Sequence, residues 1–200
     1  MKMAILGAGH AGQDPDTGHY LTFPNKCAYH EGLNLHDSGW FYEGVFNRQV
    51  LRETMKMLSS WGIPYLTTLD PNEPWIEVPI RERVRFVNKV AASGYPTMYM
   101  EIHSNWFQGS ARGIEVYTSP GQTESDLIAD RFYTYASEMT DARMRPGLED
   151  GDYDKEENFY ILRKTTCPCV LTEYRYFSDR MEAAKLATIE EVKVAAAIHA

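Results

Sequence analysis

The chain has 200 residues, of which 44% are hydrophobic and 12% aromatic, with a formal net charge of -8 at pH 7. These values suit a folded domain with a real core and argue against a disordered chain. The acidic balance also argues against nonspecific binding to nucleic acid, which needs a basic surface. We therefore expect one domain over residues 1–200, with no nucleic-acid partner and, since no apolar run is long enough to span a bilayer, no membrane insertion.

Strand-like and helix-like segments alternate along the chain. Short apolar runs predict strands, and apolar residues with a period near 3.6 predict helices. In chain order we predict a strand at 3–7, a helix at 43–61, a strand at 63–69, a helix at 79–93, strands at 97–103 and 113–119, a helix at 123–140, strands at 159–163 and 169–174, and helical residues over 180–199. This order predicts an α/β fold with three layers, in which helices flank a mostly parallel, twisted sheet of about six strands.

Two segments interrupt the alternation. Residues 16–42 show no clear period and contain three histidines, so we interpret them as an irregular insertion loop. Residues 141–157 are charged and rich in turn formers, which predicts an exposed loop.

Four dispersed side chains supply the parts of a hydrolytic zinc site: His10, Glu43, His103 and Glu173. A catalytic zinc ion takes three protein ligands and keeps one position open for water, and a further glutamate can move the proton. His10, His103 and Glu173 lie at or just beyond the ends of predicted strands, where parallel sheets bind their ligands. Each residue alone has an ordinary structural explanation, so the zinc-site hypothesis rests on the occurrence of all four together.

The predicted helix at 43–61 indicates on which side of the helix the Glu43 side chain lies. Glu43 shares one arc of the helix with Phe46, Val50 and Trp61, whereas Arg48 lies on the opposite, polar side. A carboxylate that points toward the core needs a partner, and a metal ion would supply one. The alternative ligands are the histidines of the insertion loop, namely His19, His30 and His36.

Strand alternation places Glu101 on the same side as His103. Glu101 could hydrogen-bond to the imidazole and orient it, act as an extra ligand, or be an unrelated surface group. We favour an orienting or surface role over direct ligation.

Six short motifs occur in a fixed order along the chain, at 9–15, 43–47, 83–88, 101–105, 113–117 and 162–173. Together they resemble, from about Met3 to Ile198, the zinc-dependent N-acetylmuramoyl-L-alanine amidases of the amidase-3 family, found in cell-separation enzymes and phage endolysins. The resemblance implies that His10, Glu43 and His103 bind one Zn²⁺ and that Glu173 is catalytic. Weaker candidates for shaping the site or contacting substrate are Glu101, Asn105, Glu115, Arg163 and Arg175.

The chain departs from the family pattern at several places. Glu101 stands where family members usually have serine, and Arg175 replaces the glycine that usually follows the catalytic glutamate. The stretch from His10 to Glu43 is longer than usual, so we expect the loop 16–42 to form a distinct wall of the cleft. The interval between His103 and Glu173 leaves little room for a long autoinhibitory helix, so we expect an open site.

By this resemblance the chain is a hydrolase that cuts the amide between N-acetylmuramic acid and L-alanine in peptidoglycan, and we expect a monomer. A zinc peptidase or amidase acting on another peptide bond, and a non-catalytic cell-wall-binding module of the same fold, remain alternatives. We see no signal peptide at the N-terminus. This fits a protein made in the cytoplasm that reaches the cell wall after release, as phage lysins do, or an enzyme whose leader has been removed.

Overall fold

The computed structural model describes residues 3–22, 26–73, 75–148 and 151–200. The strands are β1 (Met3–Ala8), β2 (Cys27–Tyr29), β3 (Trp40–Tyr42), β4 (Tyr65–Thr67), β5 (Thr97–Asn105), β6 (Ile114–Thr118), β7 (Lys155–Glu156) and β8 (Cys169–Tyr176). The helices are α1 (Glu43–Ser60), α2 (Ile80–Ala91), α3 (Glu124–Met139), α4 (Tyr160–Lys164), α5 (Arg180–Leu186) and α6 (Ile189–His199). Within these residues no helix is both long and apolar enough to cross a membrane.

Six strands form one sheet in the order β4-β1-β5-β8-β6-β7. Strands β4, β1, β5 and β8 run parallel to one another, β6 is antiparallel to β8, and β7 is parallel to β6. The prediction of a mostly parallel sheet of about six strands is confirmed. The carboxyl ends of β1, β5 and β8 consequently meet at one edge of the sheet.

Helices cover both faces of the sheet. On one face α1, α3 and α6 pack around buried side chains that include Phe46, Val50 and Phe132. On the other face α2 and α4 pack on a smaller core that includes Val87 and Ile161. The predicted three-layer arrangement is therefore confirmed.

The predicted strand at 159–163 is wrong, because these residues belong mainly to helix α4. The consecutive residues Ile161 and Leu162 are both buried in the smaller core, whereas neighbours on a strand point to opposite faces. A short apolar run fits a strand or a buried helical turn equally well by period alone. The sixth strand of the sheet is instead β7. Its two residues lie in the charged segment 141–157, which we predicted to be a loop.

The predicted helical stretch 180–199 consists of two helices, α5 and α6. The break falls at Thr188, whose hydroxyl accepts a hydrogen bond from the Glu191 backbone N–H at 3.2 Å and so caps the start of α6.

The prediction of which α1 residues face the core is partly wrong. Phe46 and Val50 are buried as predicted, but Trp61 follows the last helical residue and is 57% exposed. Arg48, predicted on the polar side, is 1% exposed. Its guanidinium donates to the backbone carbonyls of His10 and Ile76. These carbonyls belong to irregular segments, which a helical wheel does not represent.

The insertion loop contains a short antiparallel hairpin, β2 and β3, that leads directly into α1. The loop is anchored beside the end of β8, because His30 Nε2 lies 2.9 Å from the Phe177 carbonyl oxygen. Residues 23–25 of this loop, and residues 149–150 of the predicted loop 141–157, lie outside the described residues.

Acid is expected to destabilise the fold through the buried His199. Burial lowers the pKa of His199 to about 4, from 6.5, although a hydrogen bond with the Ala195 carbonyl at 2.6 Å offsets part of this shift. The other ring nitrogen lies 2.8 Å from the Thr172 hydroxyl. The unfolded chain takes up this proton near pH 6.5 and the folded chain only near 4, so stability is lost as the pH falls between those values. The full loss corresponds to roughly 3 kcal/mol.

Urea unfolding at several pH values between 7 and 4 would measure this loss. The variant His199→Gln should show a flatter dependence on pH than the natural chain, and His19→Gln, which changes an exposed histidine, should not. An unchanged slope in His199→Gln would contradict the assignment.

Candidate metal centre and active site

Four predicted site residues meet at the carboxyl edge of the sheet. His10 follows β1, His103 is near the end of β5, and Glu173 lies on β8 in register with His103. Glu43 is the first residue of α1. Because β1, β5 and β8 are neighbours in the sheet, strand order brings together residues that are far apart in sequence.

His10, Glu43 and His103 offer ligand atoms that all lie within 4.8 Å of one another. Glu43 Oε1 lies 3.6 Å from His10 Nε2 and 2.9 Å from His103 Nδ1. In a tetrahedral zinc site, ligand atoms about 2.1 Å from the ion lie about 3.4 Å apart. The two distances from Glu43 bracket this value.

Both imidazoles are held in the neutral form that a metal requires. Burial lowers the pKa of His103 to about 3, and the nearby charge of Arg83 lowers it further. Burial also lowers the pKa of His10, whose Nε2 is buried and has no hydrogen-bond partner among the described residues. A neutral imidazole beside a carboxylate can bind a metal ion without first losing a proton. The donor set fits zinc.

The backbone after β1 is shaped to fit this group. His10 itself adopts a left-handed conformation, with φ of 63°, so the sharp turn after β1 falls on the histidine. A Cβ on Gly9 would lie 2.0 Å from Cε1 of His103. Asn47 of α1 donates to the Gly9 carbonyl at 3.0 Å, and this bond ties the turn to the helix that carries Glu43.

Two of the three histidines in the insertion loop make hydrogen-bond contacts away from the metal group. His30 contacts the Phe177 carbonyl, and His36 Nδ1 accepts the Tyr42 backbone N–H at 2.8 Å. His19 is exposed on the loop. Among the described residues, Glu43 is the one that joins the two histidines in a possible metal group.

Glu101 is fully buried, so the surface role considered for it is wrong. Its carboxylate accepts hydrogen bonds from Arg83 and Tyr99, and Oε1 lies 3.8 Å from His103 Nε2. The carboxylate therefore lies behind the imidazole, on the side away from Glu43. This position suits a residue that orients the His103 ring.

Glu77 plays the corresponding part for His10, although no sequence pattern indicated it. Its Oε1 lies 3.7 Å from His10 Nδ1, and its Oε2 accepts the Ala11 backbone N–H at 2.9 Å and the Thr22 hydroxyl at 2.5 Å. The contact with His10 is the main reason that the pKa of Glu77 falls to about 2. Glu77 lies between β4 and α2 in a segment with no period, so no pattern could assign it a direction.

The variant Glu77→Gln should bind zinc about 10–100-fold more weakly, because a carboxylate behind a ligating histidine fixes its ring and raises its basicity. Competition with a zinc chelator would measure the affinity. Glu73→Gln, which changes an exposed glutamate of the same segment, provides the matched control and should bind zinc normally. Equal affinity in the two variants would remove this role from Glu77.

Glu173 lies beside the group with one carboxylate oxygen, Oε2, buried and without a hydrogen-bond partner among the described residues. Burial raises the pKa of Glu173 well above its ordinary value, and the charge of Glu43 raises it further. Lys26, a second residue that the sequence did not suggest, has the opposite effect on Glu173. Its Nζ lies 3.7 Å from Glu43 Oε2.

Glu115 and Asn105 form a polar network next to Glu173. Glu115 lies opposite Glu173 in the β6–β8 register and accepts the Asn105 amide at 2.9 Å. Burial opposes its ionisation, but hydrogen bonds from Lys155 and Arg145 prevail and lower the pKa of Glu115 to about 2. Glu115 therefore stays charged and cannot exchange protons near neutral pH. Its place suits a role in shaping the site, as predicted for it and for Asn105.

Arg163 lies away from the site. It is exposed on α4, and the following carbonyl, of Lys164, accepts a hydrogen bond from Asn88 near the end of α2 at 2.8 Å. Because α2 leads into the start of β5 and α4 into the start of β8, Arg163 is at the opposite edge of the sheet. Its predicted role in orienting the site is therefore wrong.

Arg175 is buried and points away from the cleft. It has a φ of 61° at a bulge where β8 gains one residue relative to β5, a conformation that glycine adopts at little cost. Its guanidinium pairs with Glu191 at 2.6 Å and Asp141 at 2.8 Å. These ion pairs hold the strained residue in place, and the predicted contact between Arg175 and substrate is not present in this arrangement.

The helices in the interval between His103 and Glu173 pack on the faces of the sheet. Ala129, Phe132 and Ala136 of α3 are buried in the larger core, and α4 lies on the other face. Neither helix crosses the carboxyl edge where His10, Glu43 and His103 meet, and the open site stays a prediction.

Comparison with known proteins places this chain in one family. The model of the family described as N-acetylmuramoyl-L-alanine amidase, Amidase_3, matches residues 5–200. An uncharacterised cell wall amidase of Bacillus anthracis is 31% identical over 203 residues, a match that spans all of this chain and 34% of the relative. The chain thus spans about a third of the length of that curated relative.

Solved amidase structures share the fold. The N-acetylmuramoyl-L-alanine amidase of Clostridium difficile 630 superposes with a TM-score of 0.73 at 20% identity, covering 98% of this chain and 91% of that chain. The N-acetylmuramyl-L-alanine amidase of Mycobacterium abscessus gives a TM-score of 0.75 at 16% identity, with 98% and 94% covered. Identities this low establish the fold, and the match of the family model over nearly the whole chain establishes that the chain belongs to the N-acetylmuramoyl-L-alanine amidase family.

Proposed function

We propose that residues 1–200 form one catalytic domain that hydrolyses the amide between N-acetylmuramic acid and L-alanine in peptidoglycan, with one bound zinc ion. The observation that carries the proposal is the grouping of the ligand atoms of His10, Glu43 and His103 within 4.8 Å. Beside it lies Glu173, whose buried Oε2 has no hydrogen-bond partner among the described residues. Membership of the amidase family supplies the substrate class.

His10 Nε2, His103 Nδ1 and a carboxylate oxygen of Glu43 would hold the ion. When bound, zinc lowers the pKa of water and polarises the carbonyl of the scissile amide. Glu173 then acts as the base that accepts a proton from the attacking water, and as the acid that returns it to the nitrogen of L-alanine as the C–N bond breaks. The buried environment, which raises the pKa of Glu173, makes its carboxylate a stronger proton acceptor.

Glu101 and Glu77 act through the histidines. Each carboxylate lies 3.7–3.8 Å from the imidazole nitrogen that faces away from the metal. They would fix the orientation of His10 and His103 and keep the nitrogens that face Glu43 free to bind the ion.

Incubation with purified peptidoglycan and with defined muropeptides tests the proposal. Mass spectrometry should detect stem peptides with a free L-alanine amine, a chelator should stop their release, and added zinc should restore it. Cleavage within the stem peptide would indicate a peptidase instead. Binding to wall material with no release of amines, even with added zinc, would indicate a non-catalytic module.

A further inference from the structure

Two aspartates lie close together in the segment that precedes β7. Asp154 is 2% exposed and its Oδ2 accepts a hydrogen bond from the Thr118 hydroxyl. Asp152 accepts the side-chain amide of Gln122 at 2.9 Å through its own Oδ2. The Asp152 carboxyl and its charge raise the pKa of the Asp154 carboxyl, so the two acidic groups lie close enough to act on each other's ionisation.

The remaining oxygens of the two aspartates lack donors. Oδ1 of Asp152 and Oδ1 of Asp154 are both buried, and neither has a hydrogen-bond partner among the described residues. Within the same residues, no lysine, arginine or histidine forms an ion pair with either aspartate. A buried, unpaired carboxylate is costly, and a second carboxylate beside it adds repulsion. Something must compensate these charges, either a shared proton or a cation.

The donor set favours a hard divalent cation. The side-chain atoms beside the pair that could bind a cation are oxygens, from the two carboxylates and the Thr118 hydroxyl, since the Gln122 amide nitrogen is a donor only. Calcium takes six to eight oxygen ligands in a flexible arrangement that includes carboxylates, carbonyls and water. Burial, together with Asp152 and the charge of Asp126, raises the pKa of Asp154 to about 7. The cost of ionising the pair is therefore large and would be met by a bound cation.

The pair is separate from the zinc centre. Thr118 ends β6, which runs antiparallel to β8, so its end lies at the edge of the sheet opposite His103 and Glu173. A cation there would act on structure, because it would join the segment before β7 to the end of β6.

We propose that Asp152 and Asp154, with the hydroxyl of Thr118, bind a calcium ion that fastens residues 151–156 to β6. The site is independent of the proposed hydrolysis, since none of its residues contacts the metal group of His10, Glu43 and His103.

Thermal unfolding of the zinc-loaded protein at pH 8 tests this proposal, with calcium chloride compared with sodium chloride of equal ionic strength. Calcium at a hundredfold excess over its dissociation constant should raise the melting temperature by about 5 °C or more. In Asp154→Asn the calcium-dependent rise should disappear. The melting temperature without calcium should be equal or higher, because the repulsion between two carboxylates is gone.

Asp16→Asn, which changes an exposed aspartate, is the matched control and should respond to calcium like the natural chain. Terbium emission sensitised by Tyr153, which lies between the two aspartates in sequence, provides a second readout. It should be lost in Asp152→Asn even if Asp154→Asn fails to fold. No calcium response in the natural chain would overturn the proposal in favour of a shared proton. An undiminished response in Asp154→Asn would place any calcium elsewhere.

Discussion

Replacing Glu173 by glutamine is expected to slow amide hydrolysis by about 10²–10⁴-fold while the protein keeps its zinc. Glutamine preserves the size of the side chain but cannot accept a proton. The three proposed ligands are other residues, His10, Glu43 and His103, so metal binding should survive. Removing one of two neighbouring carboxylates, Glu43 and Glu173, also relieves repulsion, because each ionised group raises the cost of the other.

Amine release from muropeptides and metal analysis of the same preparation would measure both quantities. Glu190→Gln, an exposed change in the first turn of α6, is the matched control and should leave rate and zinc content unaltered. Loss of zinc from Glu173→Gln would make Glu173 a ligand. Activity within tenfold of the natural chain would assign proton transfer to another group.

Replacing Glu43 by glutamine is expected to weaken zinc binding by more than about 100-fold, since residues that only support a ligand already account for 10–100-fold. The Glu43 carboxylate is 1% exposed and is the group that bridges the two histidines. Activity should fall with zinc occupancy and recover in part at high zinc concentration.

The histidines of the insertion loop provide the decisive comparison for Glu43. His19→Gln and His30→Gln should retain zinc, because His30 is bound to the Phe177 carbonyl and His19 is exposed. If either of these variants lost zinc while Glu43→Gln retained it, the loop histidine would replace Glu43 in the ligand set. Chelator competition on the three purified variants would decide the matter.

Much of the fold could be predicted from periodicity. The apolar run at 3–7 and the amphipathic helix beginning at Glu43 appear in the structure close to their predicted bounds. Predictions failed where period carries no information. The run at 159–163 is too short to separate a strand from a helical turn, and the two residues of β7 are charged, so only their pairing with β6 identifies them.

The candidate ligands could also be predicted from the sequence, because the position of a histidine or glutamate at the end of a strand or helix follows from the local secondary structure. Glu77 and Lys26 could not be predicted, since both lie in irregular segments whose paths depend on tertiary contacts. The burial of Arg48 was missed for the same reason: its partners are the backbone carbonyls of residues 10 and 76.

The α/β class, the alternation of elements and the four residues proposed for the chemistry could be predicted, since they follow from hydrophobic period and from side-chain type at element ends. The environment of those residues depends on how the elements pack together. Strand order set which ends are neighbours. Burial set the neutral state of His103 and the raised pKa of Glu173. Protonation and metal geometry depend on distances between segments far apart in the chain, which no local pattern encodes.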